Sequence, residues 1–258
     1  MLRKVPGPAK NNYLQPIQTP CERCPFHKLP SLRKFTADEL AFVKGFKRAE
    51  MRVPAGHTLF IENEEHRHIY TVLSGWAIRY KMLEDGRRQI LNFALPSDFL
   101  GMQNAILKSM KQSVEALTSM TLCVFDRNQI WEIYKAYPEL SFDITWIASR
   151  DECLVGENLL SVGRRTGLER VAYVLLHLFM RAKGLGLTKD NQLQLPVTQQ
   201  QVADALGLSI VHTNKTIRKL SKHKLISWRQ GIFEIFDLQR LSEIAMYNHE
   251  EPGPRPFI

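Results

Sequence analysis

Two different hydrophobic periods divide the chain. Between Met51 and Phe125, short segments alternate apolar and polar residues and are separated by turns such as Pro54-Ala55-Gly56 and Glu84-Asp85-Gly86. Alternation of period two over short, regularly spaced segments predicts the strands of a β barrel or jelly roll. From Pro138 onward, apolar residues recur mainly at the spacing of helices. The pattern therefore predicts an α+β chain with a β-rich half followed by a mainly helical half.

Residues 196–220 predict two short helices joined by a tight turn. Thr198 and Gln201 have the spacing of a capping box, and Gly207 can adopt the left-handed conformation that ends the first helix. Ser209 can cap the second helix. Helical spacing directs four residues of the second helix inward, namely Thr213, Thr216, Ile217 and Leu220. The residues left on its outer face are Ile210, Val211, Asn214, Lys215 and Arg218.

The stretch after these helices predicts a small wing. Residues 225–235 have the alternation of a strand, a Gln-Gly turn and a returning strand. Helix, turn, helix and wing in this order resemble the DNA-binding domain of the CRP/FNR superfamily of bacterial transcription regulators. Residues 70–75 and 97–101 look like parts of the sensory β-roll of the same superfamily. The resemblance spans nearly the whole chain.

The resemblance implies a fold and a set of domain boundaries. The fold is α+β, with an N-terminal β-roll (a jelly roll of the cyclic-nucleotide-binding type), a long dimerisation helix and a C-terminal winged helix-turn-helix. The five parts are an N-terminal arm with Cys-x-x-Cys at 1–30, the β-roll at 31–137, the dimerisation helix at 138–163, the DNA-binding domain at 164–250 and a tail at 251–258. We predict a helix at 32–46 capped by Thr36. We expect the arm up to about Pro20 and the tail to be loose.

The outer face of the second helix has the chemistry to read duplex DNA. Asn214 and Lys215 can bond base edges, and Ile210 and Val211 suit thymine methyl groups in a major groove. The residues expected to hold phosphates are Thr198, Gln199, Ser209, His212 and Arg218. Well-known family members carry Glu and Arg where this chain has Val211 and Lys215, so the familiar half-site need not be bound. A two-fold dimer of this kind would bind an inverted repeat.

Composition supports a polyanionic partner. The chain has 35 Lys and Arg against 26 Asp and Glu, a net charge of +9, and such an excess favours nucleic acid.

No apolar run approaches the ~20 residues that cross a bilayer, and the N-terminus lacks the apolar core of a signal peptide. We therefore expect a cytoplasmic protein without membrane contact. The sequence contains no nucleophile elbow, phosphate loop or helical His/Glu metal motif that would predict an enzyme.

The predicted β-roll departs from its cyclic-nucleotide-binding relatives. Those relatives hold the ribose with a Gly-Glu pair and the cyclic phosphate with an Arg-Ser/Thr-Ala motif. The matching positions here are Gly101-Met102 and Gln112-Ser113-Val114. The ribose carboxylate and the guanidinium that grips the phosphate are both replaced. We predict that cyclic AMP does not bind in the family's usual mode.

Four cysteines suggest a redox or metal site. The redox-sensing branch of the family holds an iron–sulfur cluster with three N-terminal cysteines and one in the β-roll. The cysteines that match are Cys21, Cys24 and Cys123. Pro30 occupies the third N-terminal position, and the candidates for a fourth ligand are His27 and Cys153. Three interpretations stay open: a cluster or related metal site, a thiol redox switch, and no cofactor.

The helix predicted from Pro138 to about Ser161 carries an apolar stripe that needs a partner. The resemblance implies that this helix pairs with its copy in a homodimer, although part of the stripe must pack on the β-roll of its own chain. The residues assigned to the dimer interface are Leu140, Ile144, Ile147, Asp151 and Leu154. Asp151 interrupts the stripe, and we hypothesise that it weakens pairing until a signal compensates.

Two alternatives to this function remain open. A winged helix can bind another protein instead of DNA, as in a sensor or scaffold protein. The regulator could also lack a cofactor and respond to another small molecule. The basic run at 215–224 favours double-stranded DNA as the partner. The family resemblance further implies contact with RNA polymerase.

Overall fold

Two antiparallel sheets form the N-terminal half of the protein. The structure is a computed structural model, and it describes residues 13–248 and 253–258 of the whole chain. The strands are β1 (Leu14–Gln15), β2 (Lys47–Val53), β3 (Thr58–Phe60), β4 (His68–Ser74), β5 (Ala77–Met82), β6 (Arg88–Ala94), β7 (Phe99–Leu100), β8 (Ser113–Ala116) and β9 (Met120–Asp126). One sheet has the order β1-β2-β9-β4-β7 and the other the order β3-β8-β5-β6. Phe60 and Val114 from one sheet pack with Val72 and Leu122 from the other. The predicted β-roll is confirmed.

Four helices accompany the roll. They are α1 (Ala37–Phe46), α2 (Met102–Leu107), α3 (Ile130–Ala136) and α4 (Pro138–Gly163). Thr36 caps α1 as predicted: its Oγ1 accepts from the Glu39 N–H, and the Glu39 carboxylate accepts from the Thr36 N–H at 2.7 Å. The helix begins later than the predicted residue 32, because Leu32 forms a β-bridge with Arg255.

The N-terminal half of α4 packs on the sensor domain of its own chain. Leu140, Ile144 and Ile147 are buried in one cluster with Phe46 and Phe125. Three of the residues assigned to the dimer interface are therefore unavailable to a partner subunit. The apolar stripe is a packing face, as predicted. Its first half packs against the sensor domain of the same chain and not against a partner subunit.

The C-terminal half contains four helices and a second antiparallel sheet. In chain order its elements are α5 (Gly167–Gly184), β10 (Thr188–Lys189), β11 (Gln192–Gln194), α6 (Gln199–Leu206), α7 (Ile210–Lys222), β12 (Ile226–Arg229), β13 (Ile232–Ile235) and α8 (Leu238–Ala245). The sheet has the order β10-β11-β13-β12, so the predicted wing is present. Residues 171–179 of α5 form a nearly continuous apolar run and are nearly all buried. None of the helices in the described ranges has the length and apolarity to span a membrane.

The two halves share one hydrophobic core. Trp76, Ile78 and Phe93 of the sensor pack in the same cluster as Leu176 and Phe179 of α5. Polar contacts reinforce the junction, because the buried Arg181 donates to the Phe93 carbonyl at 2.8 Å and to the Asp98 carboxylate at 2.6 Å. In this conformation the helix-turn-helix is docked against the sensor by apolar and ionic contacts together.

The C-terminal residues are packed and not loose, contrary to the prediction. Arg255 exchanges backbone hydrogen bonds with Ser31 and Arg33, each at 2.8 Å, and its guanidinium pairs with Asp98. Phe257 and Ile258 are both buried. The sequence suggested a loose tail because prolines and charges precede these apolar residues, but the sensor core accepts the last two side chains.

The N-terminal arm is also better ordered than predicted. Strand β1 pairs with β2, with Leu14 opposite Met51 and Gln15 opposite Glu50. The Thr19 N–H and carbonyl bind the buried Glu50 and Lys47 side chains, both at 2.8 Å. These contacts hold Leu14, Gln15 and Thr19 against the roll. The parts of the predicted loose segments at 1–12 and 251–252 lie outside the described residues.

Candidate DNA-binding surface and cysteine site

Local hydrogen bonds build the helix-turn-helix as the sequence predicted. Thr198 and Gln201 form a reciprocal capping box at 2.8 and 3.2 Å. Gly207 ends α6 with φ at 62°, in the left-handed region that a side chain disfavours. The Ser209 hydroxyl accepts from the His212 N–H at 3.2 Å and caps α7. The turn between the two helices is therefore encoded by residues close in sequence.

The two faces of α7 also agree with the prediction. The four residues predicted to face inward, Thr213, Thr216, Ile217 and Leu220, are all buried. Val211 is 74% exposed, and Lys215 and Arg218 are exposed beside it. Burying an exposed aliphatic residue against a base methyl group removes apolar area from water, so Val211 has a favourable partner in a DNA groove.

Two predicted DNA contacts have additional packing roles. His212 is exposed, but a Cβ atom on Gly167 would lie 2.4 Å from its Nε2. Gly167 is therefore the residue that lets the start of α5 approach the start of α7. Asn214 is half-buried, and its Oδ1 atom is buried without a hydrogen-bond partner in the described part of the chain. Asn214 can offer at most one of its two amide atoms to a base.

Charge on α7 suits a polyanion. The helix carries four Lys or Arg side chains and no Asp or Glu. His223, Lys224 and the wing residue Arg229 extend the exposed basic surface beyond its C-terminus. Thr198 and Ser209 lie at the N-termini of α6 and α7, where free N–H groups favour phosphate oxygens. These exposed basic and polar groups belong to α6, α7 and the wing of one domain.

Three cysteines that are far apart in sequence converge in the sensor domain. Cys21 and Cys24 lie at the ends of a short 3-10 segment, and Cys123 is on the central strand β9. They line a cavity of about 30 Å³ together with His27 and Lys47. Cys153 is exposed on α4 and lines a different cavity. The structure thus brings together three predicted cysteines and His27, and leaves Cys153 out.

The three thiols are held in their protonated form. Burial raises the pKa of Cys21 and Cys24, and it raises the pKa of Cys123 to about 12 although Lys47 acts against it. The Lys47 Nζ atom is itself 2.8 Å from the Glu50 carboxylate, and both side chains are buried. Its charge is therefore shared with a carboxylate and activates the thiols only in part.

These residues do not fit a four-iron cluster in this packing. The cavity has space on the order of a single water molecule. His27 Nε2 is already 3.0 Å from the Cys21 carbonyl, and Phe257 and Ile258 form one wall of the cavity. No group of three or more described His, Cys, Asp or Glu side chains is arranged to hold a metal ion. A cluster also needs a fourth ligand, and no fourth thiol lies at the cavity.

The C-terminal residues beside the thiols were missed from the sequence. Phe257 contacts Phe26, His27 and Phe35, with ring centroids 4.8 to 5.8 Å apart. The Thr71 hydroxyl donates to the carbonyl of Ile258. The one available signal was the apolar pair that follows Pro256 at the very end of a polar segment. That signal does not reveal which surface the pair covers.

Gly101, which the family resemblance places at the cyclic-nucleotide site, is closely packed against the core of the roll. Gly101 has φ at 100°, and a Cβ atom there would lie 2.9 Å from both Phe60 Cζ and Ile69 Cγ2. The buried side chains of Tyr70 and Met110 occupy the same core as Phe60. The side chain of Gln112, which replaces the expected arginine, is half-buried.

The second half of α4 presents an uncovered apolar face. Leu159 is 72% exposed, and Val155 and Leu160 are exposed nearby. Leu154, which was assigned to the dimer interface, is half-buried and lines a cavity between α4 and α5. Asp151 pairs with Arg79 on β5 at 2.5 Å, so its charge is neutralised within the chain.

The comparisons with known proteins agree with this geometry. Residues 50–137 match the family model "Cyclic nucleotide-binding domain", and residues 169–244 match "Crp-like helix-turn-helix domain". The structure of FixK2 from Bradyrhizobium japonicum has a TM-score of 0.71 and 23% identity, covering 78% of this chain and 98% of that one. It shows the same fold.

Two relatives are more similar in sequence. "Nitrogen fixation regulation protein FixK" from Bradyrhizobium diazoefficiens is 33% identical over 209 residues, covering 80% of this chain and 87% of that protein. "Transcriptional activatory protein AadR" from Rhodopseudomonas palustris is 34% identical over 203 residues, covering 78% of this chain and 83% of that protein. With both domains matched in order and relatives of this similarity over most of their length, the chain belongs to the CRP/FNR family of transcription regulators.

Proposed function

We propose that the protein binds an inverted-repeat operator as a homodimer and reads it with α7. The observation that carries the proposal is the outer face of α7, where Val211, Lys215 and Arg218 are exposed on a helix without acidic residues. Lys215 and the outward amide atom of Asn214 contact base edges, and Ile210 and Val211 contact methyl groups. Thr198, Gln199, Ser209, His212 and Arg218 hold phosphates.

The test is selection of bound fragments from genomic DNA, followed by titration of the enriched duplex at several salt concentrations. We expect an enriched palindrome with half-sites about one helical turn apart. Affinity should fall steeply with salt, because binding a polyanion releases counterions. If no fragment is enriched, and if binding of a duplex DNA probe does not depend on salt, the winged helix binds a protein partner instead.

The dimer forms through the exposed second half of α4. Val155 and Leu159 lie four residues apart on one face of the helix, which is the spacing of a helix pair. This assignment replaces Leu140, Ile144 and Ile147, which are buried in their own sensor domain. The placement also brings the dimer contact close to residues 164–166, where the DNA-binding domain begins.

The sensor responds to redox conditions through the thiols of Cys21, Cys24 and Cys123. Their convergence beside Lys47 supports a thiol switch, and the small cavity does not support a cluster. A two-electron oxidant such as a peroxide would join two of the thiols in a disulfide, with the two electrons and two protons passing to the oxidant. Protein purified under anoxia should contain three reduced thiols at this site and no iron or sulfide. Stoichiometric iron with sulfide would overturn the thiol switch.

Cyclic AMP is not the signal. Phe60, Tyr70 and Met110 fill the core of the roll beside Gly101, and Gln112 cannot provide the bidentate grip of an arginine on phosphate. Titration calorimetry with cyclic AMP should show no saturable heat. A saturable signal that Met110→Ala strengthens would show that the roll interior does accept the nucleotide.

The regulator acts as an activator that contacts RNA polymerase. The relative AadR is named a transcriptional activatory protein, and this chain matches it over most of its length. Transcription from the selected operator with purified RNA polymerase tests the proposal. We expect more transcript when the protein is added, and a decrease would identify a repressor.

A further inference from the structure

A cationic cavity lies at the junction of four parts of the chain. Its volume is about 610 Å³. Its walls come from residues 29–32, from α4, from the end of α5 with the following turn, and from residues 253–255. Four lining side chains are cationic, namely Arg150, Arg181, Lys183 and Arg255. The described lining residues include no Asp or Glu.

The wall of this cavity carries more positive than negative charge. Asp98 pairs with Arg181 at 2.6 Å and also with Arg255, and these guanidinium groups together with Arg79 hold the pKa of Asp98 far below its usual range although burial opposes them. Arg79 in turn pairs with Asp151 at 2.5 Å. With Arg150 included, the group has four guanidinium groups and two carboxylates among the residues that the structure describes, an excess of two positive charges within that part of the chain.

Unused hydrogen-bond donors accompany the unbalanced charge. The Nε atoms of Arg181 and Arg255 are buried and have no hydrogen-bond partner in the described ranges. The side chain of Arg181 is only 5% exposed, so water does not replace the missing partner at its surface. A buried donor without an acceptor costs about 1–3 kcal/mol. An anion whose oxygen atom reached one of these Nε atoms would remove that cost.

Among the four cationic side chains that line the cavity, Arg150 has the fewest polar contacts with described residues that would offset its burial. Its guanidinium lies over the Trp146 ring at 5.6 Å, and no hydrogen bond or ion pair joins it to another described residue. Burial, together with the positive charges of Arg255 and Arg181, lowers the pKa of Arg150 to about 10. Arg150 remains protonated at neutral pH. It is therefore a charged, partly desolvated group that faces open space.

We propose that this cavity binds a compact phosphate dianion, either inorganic phosphate or a small phosphate monoester. Two negative charges match the two unbalanced positive charges, and guanidinium groups bind phosphate oxygens with paired N–H donors. Arg150 and Arg181 provide the donors inside the cavity, and Lys183 provides a charge at its exposed rim. The site is separate from the interior of the roll and from the outer face of α7.

Such a ligand would strengthen the docked arrangement of the two domains. Arg181 and Lys183 belong to the DNA-binding domain, whereas Arg150 belongs to α4 and residues 29–32 to the sensor side. An anion that binds all of them stabilises the state in which these parts are together, by an amount set by its concentration over its Kd. A ligand at this junction would therefore shift the balance between docked and released DNA-binding domains.

The test is binding of inorganic phosphate and, separately, of glycerol 3-phosphate to the full chain, with ionic strength held constant by chloride. Titration calorimetry gives the Kd and thermal unfolding gives the shift in Tm. We expect saturable binding and a rise in Tm for at least one probe, and Arg150→Met should weaken the Kd by about tenfold or more. Binding of phosphate alone identifies the free ion as the ligand, and stronger binding of the ester identifies a metabolite.

Two matched variants keep the proposal testable. Lys135→Gln removes an exposed cation from α3 and should leave the Kd unchanged, because α3 does not line the cavity. Lys183→Gln is an exposed change that breaks no described ion pair, and it should weaken binding by a few-fold even if Arg150→Met proves unstable. The absence of saturable binding by either probe, or equal binding by wild type, Arg150→Met and Lys183→Gln, would overturn the proposal.

Discussion

Arg88 of strand β6 and Asp204 of helix α6 form an ion pair in which two guanidinium nitrogens, Nε and Nη2, lie 3.1 and 2.9 Å from one carboxylate oxygen. Gln89 adds a hydrogen bond to the Ala205 carbonyl at 2.9 Å. The sensor sheet thus holds the first helix of the helix-turn-helix directly. Polar side chains, as well as the shared apolar core, therefore hold the DNA-binding domain against the sensor domain.

Replacing one member of this pair should loosen α6. Asp204→Asn removes the charge but keeps the shape, and we expect it to lower the free energy of unfolding by about 1 kcal/mol, since both side chains are partly exposed. Hydrogen exchange should become faster in α6 and β6 and stay unchanged in α8. The control is Glu243→Gln, which changes an exposed carboxylate on α8. Equal exchange in α6 of both variants would contradict the interpretation.

The exposed face of α4 should control the oligomeric state. Leu159→Glu places a charge in the proposed dimer contact, and we expect the dimer Kd to rise by at least tenfold, measured by analytical ultracentrifugation. Leu107→Glu, at another exposed apolar residue, on α2, is the control and should leave the Kd unchanged. If Leu159→Glu dimerises like wild type, the contact lies elsewhere.

Asp151 should act on the stability of the sensor and not on dimer pairing. Asp151→Ala leaves the buried Arg79 without its carboxylate, and losing one member of a largely buried pair typically costs about 3–5 kcal/mol. The half-exposed carboxylate reduces that figure to about 1–3 kcal/mol. Chemical unfolding measures the loss, and sedimentation at a concentration where the variant is folded measures pairing. A changed dimer Kd with unchanged stability would restore the earlier hypothesis that Asp151 tunes pairing.

The C-terminal residues should protect the thiols. Phe257→Ala opens one wall of the cavity that Cys21, Cys24 and Cys123 line, so alkylation of these thiols should become at least several-fold faster. Mass spectrometry of peptides resolves each cysteine. Cys153, which is exposed on α4, is the internal reference and should react at the same rate in both proteins. Unchanged rates at all four cysteines would show that Phe257 does not limit access.

His177 should make the protein less stable in mild acid. Its ring stacks on Tyr173 at 5.8 Å, and burial lowers its pKa to about 3. In the unfolded chain the pKa is about 6.5. The unfolded state therefore takes up a proton as the pH falls below about 6.5 while the folded state does not, so stability is lost down to about pH 3.

Between pH 7 and pH 5 this loss should reach about 1–2 kcal/mol. His177→Phe keeps an aromatic ring at the position and removes the titrating group. The free energy of unfolding of the variant should fall less than that of wild type over this interval. Parallel curves for the two proteins would mean that His177 is protonated in the folded state.

The elements that the sequence determined alone are those whose signals are local. Each capping box, at Thr36 and at Thr198, joins residues three positions apart, and Gly207 ends α6 through its own backbone conformation, so sequence spacing was enough to identify these caps. The inward and outward faces of α7 follow from the helical period. The β-roll and wing follow from alternation and turns. The outer face of α7 that we propose to contact DNA follows from the same helical period.

Only the tertiary structure decided which surfaces are already covered. The stripe on α4 predicted a partner, but it did not reveal that Leu140 packs on the chain's own sheet while Leu159 stays exposed. Phe257 reaches Cys21 and Cys24 across more than 200 residues of sequence, and no local pattern records such a contact. Convergence of distant residues depends on burying apolar area and pairing charge in three dimensions, because both are properties of the folded surface and not of neighbouring positions.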